Sequence, residues 1–188
     1  KERNEIKTFL LNSNSPYVIK VDGLAAGKGV FICETFDEAM EVVDKIKTEK
    51  MFGAAGEKII IEEFLVGIEL SVFILTDGKN YKLLPIAKDY KRIGDGDTGL
   101  NTGGMGAVSP LPFVNKICLK KIKDKIISPT LKGLKNENIQ YTGFIFFGLI
   151  LVGTEPYVIE YNIRLGDPET QVILPRLESD LLELFLNI

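Results

Sequence analysis

The chain has 188 residues, of which 45% are hydrophobic and 26% charged, with 23 Lys and Arg, 26 Asp and Glu, two Cys and no His. The absence of His excludes a Ser-His-Asp or Cys-His catalytic set and an HExxH zinc site. Two widely spaced Cys argue against structural zinc. Any metal should therefore be a hard, oxygen-ligated ion such as magnesium. The net charge of −3 argues against nucleic-acid and anionic-membrane partners, which need a basic surface, and the Cys content favours a reducing cytoplasm.

Apolar periodicity, turn residues and caps predict a mixture of strands and helices with several hairpins, of the α+β or α/β class. Thr35 followed by Glu38 is a capping box that should begin a helix, and Pro129 should kink or interrupt a longer one. Residues 87–109 and 162–171 are predicted as long polar loops. In chain order the predicted elements are a helix at 1–11, strands at 17–21 and 29–33, a helix at 36–47, strands at 58–62, 69–76 and 81–86, a helix at 114–134, strands at 143–152 and 157–161, and a final helix capped by Ser179.

Two glycine motifs resemble nucleotide-binding signatures without meeting their structural requirements. Gly94–Gly99 fits G-x-G-x-x-G, but no helix follows, and its two Asp would repel a pyrophosphate. Gly23–Gly29 is one residue short of a P-loop, and Gly29 stands where Ser or Thr should meet magnesium. A glycine-rich loop tipped by Lys28 can still present N–H groups and an ammonium to phosphates. The alternative is a hairpin turn that is rich in Gly for backbone reasons alone.

Two acidic segments follow apolar strands. Glu62 and Glu63 end one of them, and a segment linking two lobes there could hydrogen-bond an adenine edge while Glu69 takes ribose hydroxyls; the alternative is a solvated acidic turn. Glu160 and Asn162 project to the same side of a strand and offer the oxygen pair that magnesium prefers, with Arg164 two residues further on. The alternative there is a surface ion pair between Glu160 and Arg164.

The run 101–106 (NTGGMG) could form an anion-binding nest of backbone N–H groups, with Lys88, Lys91 and Arg92 just upstream to add positive charge. In their order along the chain, these motifs resemble the ATP-grasp superfamily and, within it, the glycinamide ribonucleotide synthetase family. The resemblance runs almost end to end. The residues that carry it are 20–30 (KVDGLAAGKGV), 61–65 (IEEFL), 89–99 (DYKRIGDGDTG), 101–107 (NTGGMGA) and 160–171 (EYNIRLGDPETQ).

The resemblance implies an α+β ATP-grasp fold with a small lid lobe at 1–63 and a larger catalytic lobe with an antiparallel sheet at 64–188. It also implies ATP-dependent ligation of glycine to 5-phosphoribosylamine through glycyl phosphate, a step of purine biosynthesis, with Mg²⁺ or Mn²⁺ as cofactor. The implied ligands are Lys20, Lys28, Glu62, Glu63, Leu65 and Glu69 for ATP, Glu160 and Asn162 for the metal, and Asn101, Thr102, Gly103, Gly104 and Arg164 for the other substrates, with Arg164, Lys28 and Asp167 as catalytic groups.

The sequence departs from the family pattern at three positions: Tyr90 stands where His is usual, and Leu100 and Leu165 replace the expected Pro and Phe. The chain also opens without Met, ends in what reads as an interrupted helix, and is about half as long as such enzymes, so we expect a fragment that lacks a preceding and a following domain. Two alternatives stay open: an ATP-binding fragment without turnover of its own, and an ATP-grasp carboxylate–amine ligase with another acceptor.

Overall fold

The computed structural model describes residues 2–25, 28–96 and 98–188. The chain divides into two structural units, one that ends at Leu65 and one that begins at Val66. Both units combine antiparallel sheets with helices, as expected for the α+β class.

The first unit is a three-stranded sheet packed against two helices. Strand β1 lies in the middle, with β2 and β3 antiparallel on either side. Tyr17 and Ile19 of the central strand point into a core with the apolar face of α2, where Val43 and Ile46 are buried. The elements are α1 (Glu2–Leu11), β1 (Tyr17–Val21), β2 (Val30–Cys33), α2 (Phe36–Lys47) and β3 (Ile59–Glu63).

The predicted capping box begins α2. The Thr35 hydroxyl accepts a hydrogen bond from the Glu38 amide at 3.2 Å, and the Glu38 carboxylate accepts one from the Thr35 amide at 3.3 Å. Two amides that the first helical turn leaves without partners are satisfied in this way.

The second unit contains a four-stranded antiparallel sheet in the order β5-β4-β8-β9 and a separate hairpin of β6 and β7. One face of the sheet packs on helices α3 and α4 through residues such as Val72, Phe147 and Leu149. The elements are β4 (Ile68–Thr76), β5 (Tyr81–Leu83), β6 (Lys88–Gly94), β7 (Thr98–Val108), α3 (Lys116–Ile122), α4 (Ser128–Asn136), β8 (Gly143–Val152), β9 (Glu155–Asn162), α5 (Thr170–Ile173) and α6 (Leu181–Leu186).

The interruption predicted near Pro129 is a π-helical turn at Lys123–Ile127, which joins α3 to α4. The Ser128 amide bonds the carbonyl of Lys123, five residues back. Pro129 lacks an amide hydrogen and cannot continue the usual ladder, so the helix absorbs the break in one widened turn.

Two predicted details are wrong. The polar loop at 87–109 contains the paired strands β6 and β7, because glycines tolerate the positive φ angles and register shifts of this irregular hairpin. The final helix is capped by Asp180, whose carboxylate accepts from the Glu183 amide at 3.0 Å, and not by Ser179. Among the described residues, no helix has the length and apolarity needed to cross a membrane.

Replacing the cap, Thr35→Ala, should lower the free energy of unfolding of the first unit by about 1 kcal/mol, because the Glu38 amide loses its acceptor. Urea unfolding of the variant and of the control Thr48→Ala, which alters an exposed threonine at the other end of α2, measures the difference. Equal stability of the two variants would contradict a stabilising cap.

Candidate functional site

In the first unit, the face of the sheet that does not pack on the helices is apolar. The strand registers place Val18 opposite Ile32, and Lys20 opposite both Val30 and Ile60. Val30 and Ile32 are each 52% exposed although they are β-branched strand residues. An exposed apolar sheet face of this kind suits a flat, apolar ligand group.

Lys20 and Glu62 add an ion pair to this face. The Lys20 ammonium lies 2.6 Å from the Glu62 carboxylate, and only 14% of the Lys20 side chain is exposed. The strand pairing explains the contact, because Val18 lies opposite Glu62 and Lys20 lies two residues further along β1. The lysine stem is therefore packed while its charged end stays on the open face.

The other residues predicted to bind ATP in this unit flank that face. Lys28 is exposed, and its amide bonds the Ala25 carbonyl at 2.9 Å; Ala26 and Gly27, in the middle of the predicted phosphate loop, lie outside the described residues. Glu63 is exposed at the end of β3 and Leu65 is half-buried just after it.

In the second unit, the registers bring three predicted residues to the sheet face opposite α3 and α4. Ser71 of β4 lies opposite Gly148 of β8, which lies opposite Glu160 of β9. Opposed residues of antiparallel strands project to the same side, so Glu160 shares this face with Ser71 and with Glu69, two residues away on β4. Asn162 joins them, opposite Phe146.

A β-bulge in β9 is what turns Glu160 to this face. The pairing shifts between Gly148 and Leu149, whose partners are Glu160 and Val158. Val158 packs into the core under the helices, and strict alternation would send Glu160 the same way. The extra residue, Ile159, reverses the alternation, so Glu160 and Asn162 face away from the helical layer.

Gly148 makes room for the Glu160 side chain. A Cβ atom added at Gly148 would lie 2.8 Å from the Glu160 Cγ. The carboxylate-bearing chain therefore lies across the sheet over a position that only glycine leaves open.

The hairpin strand β6 adds a charged pair close to these acids. The Lys91 ammonium lies 3.3 Å from the buried carboxylate of Asp89. Burial lowers the pKa of Lys91, but the charges of Asp89, Glu160 and Glu69 outweigh that effect, and the net result is a pKa above the ordinary value of 10.5. Lys91 thus supplies a positive charge within electrostatic reach of the acidic open face.

Arg164 lies two residues beyond the end of β9, and its side chain contacts residues on either side of it. Its guanidinium donates to the Leu165 carbonyl at 2.9 Å and to the Asn162 side-chain oxygen at 3.3 Å. The Asn162 side-chain nitrogen is buried without a hydrogen-bond partner. The structure thus links Asn162 to Arg164, whereas no ion pair is found between Arg164 and the carboxylate of Glu160 among the described residues.

The segment after Arg164 contacts the glycine-rich part of β7. The exposed Asp167 carboxylate accepts from the side-chain nitrogen of Gln171 at 2.7 Å, and a Cβ at Gly104 would lie 2.7 Å from the Pro168 ring. The Gly104 amide donates to the Thr102 hydroxyl at 3.1 Å, so it is already engaged within the predicted anion nest. The side chain of Asn101 lies outside the described residues, and Gly103 is exposed.

Within residues 2–25, 28–96 and 98–188, no group of three or more acidic or Cys side chains is arranged to hold a metal ion alone. Glu160 and Asn162 nevertheless fit magnesium in their donor chemistry, a carboxylate and an amide oxygen. Magnesium commonly takes its remaining ligands from phosphate and water.

Comparison with known proteins decides the family. The model of the family described as phosphoribosylglycinamide synthetase, ATP-grasp (A) domain, matches residues 1–170. The chain belongs to this ATP-grasp family. It is 50% identical over 171 residues to a phosphoribosylamine–glycine ligase of Chlorobaculum tepidum, a match that covers 91% of this chain and 40% of that protein. A Pasteurella multocida protein with the same name is 49% identical over 179 residues, with 95% and 42% covered.

A solved relative has the same fold as this ATP-grasp chain. The crystal structure of phosphoribosylamine–glycine ligase from Thermotoga maritima superposes with a TM-score of 0.85 at 42% identity, covering 92% of this chain and 44% of that one. The α+β ATP-grasp fold predicted from the sequence is confirmed. The chain spans well under two thirds of the length of each of these relatives.

Sequence reasoning missed two buried polar side chains of the second unit. Ser71 and Glu169 form a buried hydrogen bond although they are 98 residues apart in the sequence, and no local sequence pattern predicts it. Lys91 is predicted from the sequence only as general positive charge; its i, i+2 spacing from Asp89 on a strand could have assigned the pair to one face.

The pairing makes the pKa of Lys91 testable. Asp89→Asn should lower that pKa, because the largest charge that raises it is removed. The ion pair contributes stability below the ordinary lysine pKa, near pH 10, and loses it as the pH rises through the folded-state pKa. Lys91 can be labelled with an amine reagent at a series of pH values, and the extent of labelling measured by mass spectrometry. In the variant, the rise of labelling with pH should occur at lower pH.

Lys116, at the start of α3, serves as the internal reference, since its labelling should not respond to Asp89→Asn. A Lys91 profile that stays with the wild type would contradict the pairing.

Proposed function

We propose that this chain is the ATP-grasp part of an enzyme that ligates glycine to 5-phosphoribosylamine with ATP. The products would be glycinamide ribonucleotide, ADP and phosphate, in purine biosynthesis. The observation that carries the proposal is the 50% identity with a ligase of that name over 91% of the chain. The apolar face of the first unit, with its Lys20–Glu62 ion pair, and the face of the second unit that carries Glu69, Glu160 and Asn162 support it.

The chemistry requires two transfers and no imidazole. A glycine carboxylate oxygen attacks the γ-phosphorus of ATP, the bond to ADP breaks, and glycyl phosphate forms. The amine nitrogen of phosphoribosylamine then attacks the glycyl carbonyl carbon, the acyl–phosphate bond breaks, and the nitrogen loses a proton as phosphate leaves. Both steps depend on positioning and on charge stabilisation, which Lys, Arg and carboxylates can supply.

In the first unit, Lys20 and Lys28 would bind ATP phosphates. The apolar face around Val30 and Ile60 would contact the adenine, whose edge would meet the backbone of Glu62 and Leu65. Since the Glu62 carboxylate pairs with Lys20 at 2.6 Å, that carboxylate would orient the ammonium. Glu63 would add polar contacts at the same strand end.

In the second unit, Glu69 would bind the ribose, and Glu160 and Asn162 would hold magnesium or manganese. The ion, when bound, neutralises phosphate charge. Arg164 would stabilise the phosphoryl group in transfer, because its planar fork can donate to two oxygens. Asp167 and the run Asn101–Gly104 would face glycine or phosphoribosylamine.

A second candidate function is ATP binding without turnover by this chain on its own. It is favoured by the length of the matched ligases, of which the match covers only 40% and 42%. A ligase of this superfamily with a different acceptor is the remaining candidate. A cytoplasmic location stays a prediction from the Cys content.

The direct test is release of ADP by the protein as encoded, in the presence of ATP, magnesium, glycine and phosphoribosylamine. We expect ADP release that requires both glycine and the amine, with glycinamide ribonucleotide formed in equal amount. Tight ATP binding without any ADP release would instead establish the fragment alternative. Release that another amino acid supports better than glycine would overturn the substrate assignment.

Glu160→Ala should weaken magnesium-dependent ATP binding by about 10- to 100-fold, because the ion loses its carboxylate ligand. Calorimetric titration with and without magnesium measures the loss. Glu137→Ala, an exposed glutamate after α4, is the control. Unchanged magnesium dependence in Glu160→Ala would remove that residue from the metal site.

Arg164→Ala should lower kcat by about 100-fold while changing ATP affinity little, because its charge would act mainly in the transition state. Arg164→Lys, which keeps the charge but not the planar fork, should lose less. Steady-state kinetics and ATP titration separate the two effects, and parallel losses in kcat and ATP affinity would point to ground-state binding.

A further inference from the structure

A buried hydrogen bond joins the second unit's sheet to the segment that follows Arg164. The Ser71 hydroxyl of β4 donates to the Glu169 carboxylate at 2.9 Å, and each residue is only 2% exposed. Buried carboxylates are rare in proteins and are retained where their hydrogen bonds are satisfied. This contact is therefore a specific attachment between the strand and a segment distant in sequence.

The attached segment is otherwise open to solvent at its functional residues. Arg164 and Asp167 are exposed, whereas Gly166 between them is buried. A Cβ at Gly166 would lie 2.3 Å from the second Glu169 carboxylate oxygen, so the backbone at Gly166 lies directly against that carboxylate. The amide of Thr170 closes the turn by donating to the Gly166 carbonyl at 3.1 Å.

The attached segment in turn holds the guanidinium. Arg164 donates to the carbonyl of Leu165 at 2.9 Å, and the Leu165 side chain packs against the cluster around Phe73 and Phe146. The position of Leu165 therefore sets where the guanidinium lies. Leu165 is attached on one side by its apolar packing and continues on the other into Gly166, whose backbone lies against the Glu169 carboxylate.

Ser71 also anchors the hairpin that contains Asp89 and Lys91. Its amide donates to the Ala87 carbonyl at 2.7 Å, and the Ala87 amide donates back to the Ser71 carbonyl at 3.1 Å. One residue of β4 thus connects the sheet, the start of β6 and the Arg164 segment. It does so beside Gly148, the position over which Glu160 lies.

We propose that Ser71 and Glu169 are positioning residues, whose hydrogen bond fixes Arg164 for phosphoryl transfer. This inference rests on the proposed ligase function and adds two residues to it. Neither side chain need touch a substrate. Their effect is transmitted through Gly166 and Leu165 to the guanidinium.

The kinetic test is a double-mutant cycle with Arg164. Ser71→Ala should lower kcat by about 10- to 100-fold, as small displacements of catalytic groups do, with little change in ATP affinity. In an Arg164→Ala background, the same change should cost no more than about twofold, because the group that it positions is already absent. An equal loss of kcat in both backgrounds would overturn the proposal, since Ser71 would then act independently of Arg164.

Two further variants separate positioning from simple misfolding. Glu169→Gln keeps an oxygen that can accept from Ser71 and should lose less activity than Glu169→Ala. Ser128→Ala, at an exposed serine that begins α4, is the control and should leave kcat unchanged. Equal damage from Glu169→Gln and Glu169→Ala, with unchanged folding, would contradict a role for the hydrogen bond.

A readout independent of catalysis keeps the inference distinct from the proposed function. Trypsin cleavage after Arg164, followed by mass spectrometry, should be at least about tenfold faster in Ser71→Ala, while cleavage after Lys135 in α4 stays unchanged. If the wild type released no ADP, the ligase function would fail while this measurement still decided the attachment. Unchanged cleavage after Arg164 would contradict the proposal that the hydrogen bond holds this segment. Faster cleavage at both sites would also contradict it, because the bond would then stabilise the whole unit and not this segment in particular.

Discussion

The β-bulge in β9 is the constraint on which the second unit's open face depends. Before the bulge, Val158 points into the core beneath α3 and α4, and after it Glu160 and Asn162 point to the other side of the sheet. Because strand side chains alternate with a period of two, one inserted residue is enough to reverse their direction. The Glu160 carboxylate and the Asn162 amide therefore lie on the side of the sheet that carries Ser71 and Gly148, and not on the side buried under the helices.

This division of the sheet explains how a stable core and a polar site share the same strands. The helical side is filled by Val72, Phe147 and Leu149, all fully buried. The opposite side is apolar around Phe73 and Phe146, whose ring centroids lie 4.6 Å apart, and it carries the polar Ser71 and Glu69 further along β4. Leu165 packs against the cluster of the stacked rings, and the Ser71–Glu169 bond joins the segment after Arg164 to the sheet.

Much of the fold is predictable from local patterns. The strand at 69–76 follows from its apolar run and the turn residues Asp77 and Gly78 after it. The helix after Thr35 follows from helical periodicity and cap chemistry. The period of two along a strand places Glu160 and Asn162 on one side of it, although the period cannot say which side, because the bulge shows only in the pairing with β8.

The remaining features depend on contacts between distant residues. The hairpin of β6 and β7 reads as a loop in the sequence, since its glycines obscure alternation and its strands support each other only once paired. Ser71 and Glu169 look like ordinary polar residues until the chain brings them to 2.9 Å. The family resemblance supplies roles for residues in the glycine-rich and acidic motifs but not for these two, which lie beneath the surface that such motifs form.

The most direct measurement is a crystal structure of the protein with magnesium and a non-hydrolysable ATP analogue. We expect one ion at about 2.1 Å from a Glu160 oxygen and from the Asn162 side-chain oxygen, with phosphate oxygens completing its shell. An ion bound elsewhere, with Glu160 and Asn162 both outside its ligand shell, would contradict the assignment of the open face as the metal–nucleotide site.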